Sequence, residues 1–352
     1  MSSLRIVSYN ILADCYVRVH EQPWNAFSYC SEEHISAEVR YPRIVENLIQ
    51  SNADIILLQE VMFEFRDELW QLPLYLVDAL QAQGYVAIMQ GLKQKDISKN
   101  AVRNKKMVGK AIPTGLAIFW KNEKFKEFDV SKYGSGSGMT VYLQIPETKS
   151  VLCVNNIHLV GDPAKSDQHL KQLEGAKKQL DNKNVHDAVK KGLVDCVYEF
   201  VCGDFNGEVT VTTAPVCTAG NEVQMKDSSD DKDNSKSEGE HDKRTRTVIG
   251  EWFHDNVFQR APTGTSWASD ATSAELDHMM YRCIHHPQQQ YQQEEEEGPA
   301  PLILCTHCIP EINLDMEIDT SLLGGLPNEF HPSDHVMVQA DFCIVNNSSN
   351  GV

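Results

Sequence analysis

No apolar run in this 352-residue chain approaches the roughly 20 residues that a membrane-spanning helix needs. No amphipathic, membrane-inserting segment stands in for one. A membrane partner is therefore not expected. A secretory leader is not expected either, because MSSLRIVSYNIL passes almost directly into an alternating strand pattern. Cysteine occurs ten times, but without framework spacing, so a disulfide-stapled secreted domain is not expected. Reduced thiols and a cytoplasmic or nuclear setting are, with a mitochondrial address left open. Positive charge is in short supply: 32 basic against 50 acidic residues give −18, which opposes non-specific binding to a long polyanion. No internal repeat is evident.

What the chain has is strands. LRIVSYNIL, DIILLQEV, YVAIMQ, GLAIFW, VLCVNNIHL, VYEFVCGDF, LDHMMYRC, LILCTHCI and HVMVQADFCI are alternating or β-rich. The last puts Val336, Val338, Ala340, Phe342 and Ile344 on one face. Helical patterns lie between some of them. Pro42 can open a helix carrying Ile44, Val45, Leu48 and Ile49, and Ser166 can cap one carrying Leu170, Leu173, Ala176 and Leu180. Helices do not follow every strand, which favours two packed mixed sheets with helices outside over one doubly wound sheet. The expected organisation is a single catalytic domain over 1–352. Polar stretches at 222–246 and 287–300 are expected to be disordered inserts, and GSGSG at 134–138 resembles a linker.

One basic stretch runs against the overall charge. Lys93, Lys95, Lys99, Arg103, Lys105, Lys106 and Lys110 share 18 residues with a single acid, Asp96. It reads either as a solvated basic loop or as a track for phosphates. CTHC at 305–308, with Cys283 and His285 upstream, is too weak a pattern to imply zinc.

Polar residues punctuate the strand ends: Asn10 after SY, Glu60 after LLQ, His158 after NNI, Asp204 and Asn206 in GDFN, Asp277 after Leu276, and Asp334 with His335 in PSDH. Alone, each is an ordinary cap or turn residue. Gathered at one end of the sheets, Glu60, Asp204, Asp277 and Asp334 would place four carboxylates together, which cannot all stay ionised without a cation. Oxygen donors suit Mg2+ or Mn2+ better than zinc. Two histidines beside them offer donors or proton carriers, as phosphoester cleavage requires.

The ordered set SYNILA, LLQEV, NNIHLVGDP, VCGDFNG, LDHMMYR and PSDH resembles the endonuclease/exonuclease/phosphatase superfamily, related to deoxyribonuclease I. NAFSYCSEE with VRYPRIVENLI, HLVGDPAKSDQHLKQL and PTGLAIFWKNEKF are similar to its deadenylase branch, which includes carbon-catabolite-repressor nucleases, Angel, nocturnin and the 2′,5′-phosphodiesterase. The resemblance implies a four-layer α/β sandwich of two mixed sheets flanked by helices, and a magnesium-dependent 3′-5′ exoribonuclease acting on single-stranded RNA 3′ ends. Glu60 and Asp334 would lie at the metal, and Asn10 would support metal or phosphate. Asp204 would activate water, Asn206 contact phosphate or base, His158 donate to the phosphoryl group, and Asp277 orient His335. Pro163 would form one wall for the terminal base. The branch's aromatic second wall is absent, leaving Ala271 and Thr272 there and Trp267 nearby. His278 stands where the branch has tyrosine. Lys105 and Lys106 would contact substrate phosphates. A phosphatase acting on a small nucleotide or a 2′,3′-cyclic phosphate end uses the same residues and stays open, as does a non-catalytic RNA-binding module.

Overall fold

The computed structural model describes residues 2–17, 27, 29–91, 93–129, 138–146, 148–162, 165–207, 209, 248–256, 258–261, 267–268, 273–285, 303–306, 326–328 and 331–344. The segments 222–246, 287–300 and 134–137 lie outside these residues. Gly138 opens the strand Gly138–Ile145.

Two six-stranded sheets form the centre. The first runs, in spatial order, Ile303–Thr306, Val338–Ile344, Ser2–Asn10, Ile55–Met62, Thr114–Lys121, Tyr85–Met89. The second runs Gln259–Ala261, Asp277–His285, Cys196–Asp204, Ser150–His158, Gly138–Ile145, Lys126–Asp129. Each has one parallel pair in the middle, Ser2–Asn10 with Ile55–Met62 and Ser150–His158 with Cys196–Asp204, and antiparallel pairs on both sides. A parallel pair needs a crossover. In the first sheet the crossover includes the helix Ala37–Ser51, and in the second the helices Ser166–Leu180 and Lys183–Lys190. The chain thus builds the same arrangement of strand directions twice.

The central strands are buried on both faces, which is why IILL and VLCV read as apolar runs rather than alternations. Between the sheets pack Ile6, Ile55, Leu57, Ile118, Val154, Phe200 and Phe342. On the outer face of the first sheet, Val7, Ile56, Leu58 and Phe119 meet Ile44, Leu48, Leu76 and Leu80 from helices. On the outer face of the second, Val151, Ile157, Val201 and Met280 meet Leu173, Ala176, Val185 and Phe253. Each fully buried Leu, Ile or Phe contributes roughly 1.5–3 kcal/mol. The result is the expected α/β sandwich of two mixed sheets with helices outside.

Polar side chains join the sheets just below the strand ends. Asn156 Nδ2 donates to the carbonyls of Leu58 and Ala117, both at 2.9 Å, and Gln59 Nε2 donates to Asn156 Oδ1 at 2.8 Å. The two halves are therefore held in fixed register as well as by apolar packing, because an unpaired amide there would cost its full desolvation.

Several local expectations are corrected. The helix assigned to Pro42 begins earlier, at Ala37, and carries Pro42 inside it. Its first turn is held down by Arg40, fully buried, whose guanidinium donates to the carbonyls of Ile35, Ile11, Leu12 and Pro332. Ser166 is the first helical residue rather than the cap, which falls on Lys165 without a side-chain bond. The basic stretch is a helix, Gln94–Val108, because Ile97, Ala101, Asn104 and Val108 form a buried stripe at helical spacing. Val336 leaves the sheet face and packs with Leu326. Cys343 is disulfide-bonded, against the expectation of reduced thiols throughout, whereas Cys15, Cys153 and Cys202 are buried free thiols and the Sγ atoms of Cys196 and Cys283 lie 3.1 Å apart. No helix among the described residues is long and apolar enough to cross a membrane.

Candidate active site

The carboxyl ends of both parallel pairs point the same way, and the expected residues meet there. Asn10, buried at the end of its strand, donates through Nδ2 to Glu60 Oε1 at 3.2 Å and to Asp204 Oδ2 at 2.9 Å. One amide therefore spans the two sheets. Its Oδ1 accepts from the Leu12 N–H at 3.1 Å, so the nitrogen is the end turned toward the carboxylates.

Glu60 reaches the pocket through an irregular backbone. It has φ 59°, a left-handed conformation uncommon for glutamate, at a register shift between Leu58 and Val61. Ala13 N–H donates to its Oε2 at 3.0 Å. Burial raises the Glu60 carboxyl above its ordinary range; His158 opposes that and Asp334 adds to it. Burial raises Asp334 as well, against the pull of His335.

On the second sheet the turn is made by Gly203. Its φ is 142°, and a Cβ there would sit 1.9 Å from the carbonyl oxygen of Ile157 on the neighbouring strand. Only glycine fits, and the following residues then alternate. Asp204 faces the pocket, 1% exposed. Phe205, wholly buried, stacks on Phe253 with ring centroids 5.4 Å apart. Asn206, at φ 47°, turns back: its N–H donates to Asp204 Oδ1 at 2.8 Å and its Nδ2 to the Leu159 carbonyl at 3.0 Å. The glycine, aspartate and asparagine of GDFN thus form a turn that fixes a carboxylate, with Phe205 as its anchor.

Two imidazoles flank that carboxylate. His158 Nε2 lies 3.5 Å and His335 Nε2 3.6 Å from Asp204 Oδ2. His335 Nδ1 pairs with Asp277 Oδ2 at 2.7 Å, both groups being buried. Burial alone would lower the His335 pKa, but Asp277, Asp204 and Asp334 together outweigh it and hold the ring well above its usual value. Imidazolium at this position can donate from Nε2 while Asp277 fixes the ring.

Among the described residues, Asp204, Asp277 and His335 place ligand atoms within 4.8 Å of one another, a grouping that could hold a metal ion. Its Asp277–His335 members already bond to each other, which suits a proton-handling pair better than two ligands. Glu60 and Asp334 are the acids whose ionisation burial penalises, and a cation beside them would relieve that penalty. The oxygen-rich donors suit a hard divalent ion.

Some functional supports escaped the sequence reading. Arg40 ties the Ile11–Leu12 turn to Pro332, and Ser333 Oγ donates to the Asn10 carbonyl at 2.7 Å, so the segment bearing Asp334 and His335 is lashed to the first strand. A lone arginine at the start of an apolar helix, and a serine inside PSDH, were the available signals. His278 is fully buried, with Nε2 3.0 Å from the Gly207 carbonyl, and supports the GDFN turn. Burial first, then Arg260, lowers its pKa to about 4, so it is neutral.

The substrate-side residues are less gathered. Pro163 lies outside the described residues, as do Ala271 and Thr272. Trp267 belongs to the two-residue strand Trp267–Ala268, paired with Ser273–Ala274. Lys105 and Lys106 are exposed on the helix Gln94–Val108. That helix ends beside the pocket, since Val108 packs with Ala13 and Cys15.

No protein-family profile matches the chain. It aligns with 2′,5′-phosphodiesterase 12 of Mus musculus at 27% identity over 223 residues, 58% of this chain and 34% of that protein. It aligns with the CCR4-Not complex 3′-5′-exoribonuclease subunit Ccr4 of Candida albicans at 23% over 232 residues, 57% of this chain and 27% of that protein. The matched part therefore spans no more than 34% of the length of either relative. The fold is similar to that of ANGEL2, a 2′,3′-cyclic phosphatase, with TM-score 0.56 and 18% identity over 97% of this chain and 95% of that one. The strand-end motifs, the doubled sheet and these relatives agree in one resemblance, to the endonuclease/exonuclease/phosphatase superfamily and its deadenylase-type side.

Proposed function

We propose that the protein is a metal-dependent phosphodiesterase, a 3′-5′ exoribonuclease of deadenylase type that hydrolyses RNA 3′ ends by attack of water on phosphorus. The observation that carries this reading is the placement of Asp204 between two imidazoles, 3.5 and 3.6 Å away, with one imidazole fixed by Asp277. Asp204 accepts the proton of the attacking water. His158 and the cationic His335 donate to the phosphoryl oxygens as charge builds on them. Asn206 lies beside Asp204 and contacts the phosphate or base.

Glu60 and Asp334 would hold Mg2+, or Mn2+ in its place, with Asn10 fixing Glu60. When bound, the ion neutralises developing charge on the phosphate and its leaving oxygen. Lys105 and Lys106 contact substrate phosphates, and Pro163 and Trp267 are the residues that the sequence offers as walls for the terminal base. Without the branch's usual aromatic clamp, adenine is favoured little over other 3′-terminal bases.

The rival reading is a phosphatase for 2′,3′-cyclic ends or a small nucleotide. The net charge of −18 and the fold likeness to a 2′,3′-cyclic phosphatase favour it. Labelled RNA with oligo(A), oligo(U), 3′-phosphate and 2′,3′-cyclic phosphate ends, incubated with and without magnesium, separates the readings. Stepwise shortening supports the exonuclease, and removal of one end group supports the phosphatase. An unchanged strand overturns both and leaves a binding module.

A further inference from the structure

The helix Gln94–Val108 turns Ile97, Ala101, Asn104 and Val108 inward and leaves Lys95, Asp96, Ser98, Lys99, Val102, Arg103, Lys105, Lys106 and Met107 exposed, with Lys99 paired to Asp96 at 3.1 Å. Val102 is 57% and Met107 51% exposed, unusual values for apolar side chains beside so many cations. The helix is oriented by contacts at both ends. At its carboxyl end, Val108 packs on Ala13, whose N–H holds Glu60, and Lys110 pairs with Asp14 at 3.3 Å. At its amino end it supports the hairpin formed by Glu64–Arg66 and Leu69–Gln71. Gln94 Oε1 accepts from Trp70 N–H, Gln94 Nε2 donates to the Trp70 carbonyl at 3.1 Å, and Trp70 Nε1 donates to Ser98 Oγ at 3.3 Å.

Trp70 carries Phe65 on its edge, with ring centroids 5.1 Å apart and planes at 61°. Phe65 is nevertheless 60% exposed. Ser98, Val102 and Lys105 continue from Trp70 along one stripe at helical spacing, with Lys106 adjacent, and lead to the carboxylate pocket. The helix that carries the stripe, 15 residues from Gln94 to Val108, is about 22 Å long at a rise of ~1.5 Å per residue. Asp67 and Glu68 form the hairpin's turn, where their charge bounds the track at its far end.

An exposed aromatic ring, exposed apolar side chains and a row of cations are together the pattern that binds single strands: rings stack on bases while cations follow phosphates. In a chain of net charge −18, a stretch with seven cations and one acid is a local exception with a polyanion's complement. We propose that this helix face and the Phe65 edge of the hairpin form a track for the single-stranded RNA upstream of the end being cut, with Phe65 stacking on a base. This deepens the exonuclease reading and rests on it. At the ~3.4 Å rise of a stacked strand, the track accommodates roughly six nucleotides. Short substrates cannot reach Phe65, so cleavage efficiency depends on length.

The test uses oligo(A) of two, four, six and ten nucleotides, cleaved with magnesium by the wild-type chain, Phe65→Ala, and the double variant Lys105→Glu with Lys106→Glu. For the wild type, kcat/KM is expected to rise with length and level off near six. Phe65→Ala should lower the ratio of decamer to dinucleotide efficiency about tenfold through KM. The double variant should lower it too, and reduce the dependence of log kcat/KM on log salt by about 1.4, from roughly 0.7 per phosphate contact. Phe65 is exposed, so an unchanged melting temperature confirms that its variant is folded. Equal efficiency on dinucleotide and decamer, or a ratio unchanged in Phe65→Ala, overturns the track while leaving the exonuclease reading standing. If no length is cleaved, that reading fails instead. Fluorescence anisotropy of a labelled decamer in chelator then decides the track separately: about tenfold weaker binding by Phe65→Ala supports it, and equal binding overturns it.

Discussion

The two sheets share an order of strand directions but differ in what stands at equivalent strand ends. Asn10 corresponds to Asp204, Glu60 to His158, and the Asp334–His335 segment to Asp277. The first sheet supplies an amide and a carboxylate whose ionisation is penalised, and the second supplies a carboxylate, Asp204, held between its own His158 and the first sheet's His335. They also re-aim the chain differently. In the first sheet the functional residue takes the unusual backbone itself, Glu60 at φ 59°; in the second the neighbour takes it, Gly203 at φ 142°. A doubled scaffold can thus point two different chemistries at one spot. The division assigns metal holding to the first sheet and water activation to the second.

The largest expected effect is loss of turnover in excess chelator, measured on labelled RNA; full activity without a divalent ion would remove the division at its root. Next come Asp204→Asn and His335→Ala, each expected to cost about 10²–10⁴-fold in kcat with little change in melting temperature. Gly203→Ala sharpens the contrast in backbone. Its Cβ would displace the strand bearing His158, so stability and activity should fall together, by about 2–4 kcal/mol in a denaturant melt. An alanine variant of wild-type stability would show that the turn has slack.

Arg40→Met tests how the first sheet's loops are held. Four carbonyl contacts lose their donor. A cost of about 2–4 kcal/mol and a fall in kcat are expected, the latter through the segment bearing Asp334 and His335. The smallest effect concerns His278. Its pKa is lowered from 6.5 to about 4 in the folded chain, so between those values the unfolded chain binds the extra proton. Its contribution is fully present above pH 6.5 and is lost as pH falls toward 4, by up to about 3 kcal/mol. Relative to wild type, His278→Phe should flatten stability against pH across that window; parallel curves would contradict the buried neutral ring.

The strand ends were legible because they break apolar runs with residues that packing cannot explain. GDFN was the clearest, since glycine, aspartate and asparagine each have a backbone reason to be there. Nine strands could be read, for continuous apolar runs survive burial on both faces. The crossover helix at Ala37 was misplaced because Pro42 looked like a start, and only the tertiary role of Arg40 explains the earlier one. The helix Gln94–Val108 was obscured by its cations and by Asn104 in the buried stripe, where Nδ2 donates to the Ile112 carbonyl at 2.7 Å. The roles of Asn156 and Ser333 were hard to read for a related reason: both donate to backbone carbonyls, which leave no pattern in the sequence, so Ser333 showed only as a serine inside PSDH.

The division between the sheets is tested most directly by calorimetric titration of Mg2+ into the wild-type chain, Glu60→Gln and Asp204→Asn. The account predicts that Glu60→Gln weakens binding by about 10–100-fold, whereas Asp204→Asn leaves it within about threefold while losing turnover. Retained affinity in Glu60→Gln together with lost affinity in Asp204→Asn would put the ion in the Asp204–Asp277–His335 group and contradict the division.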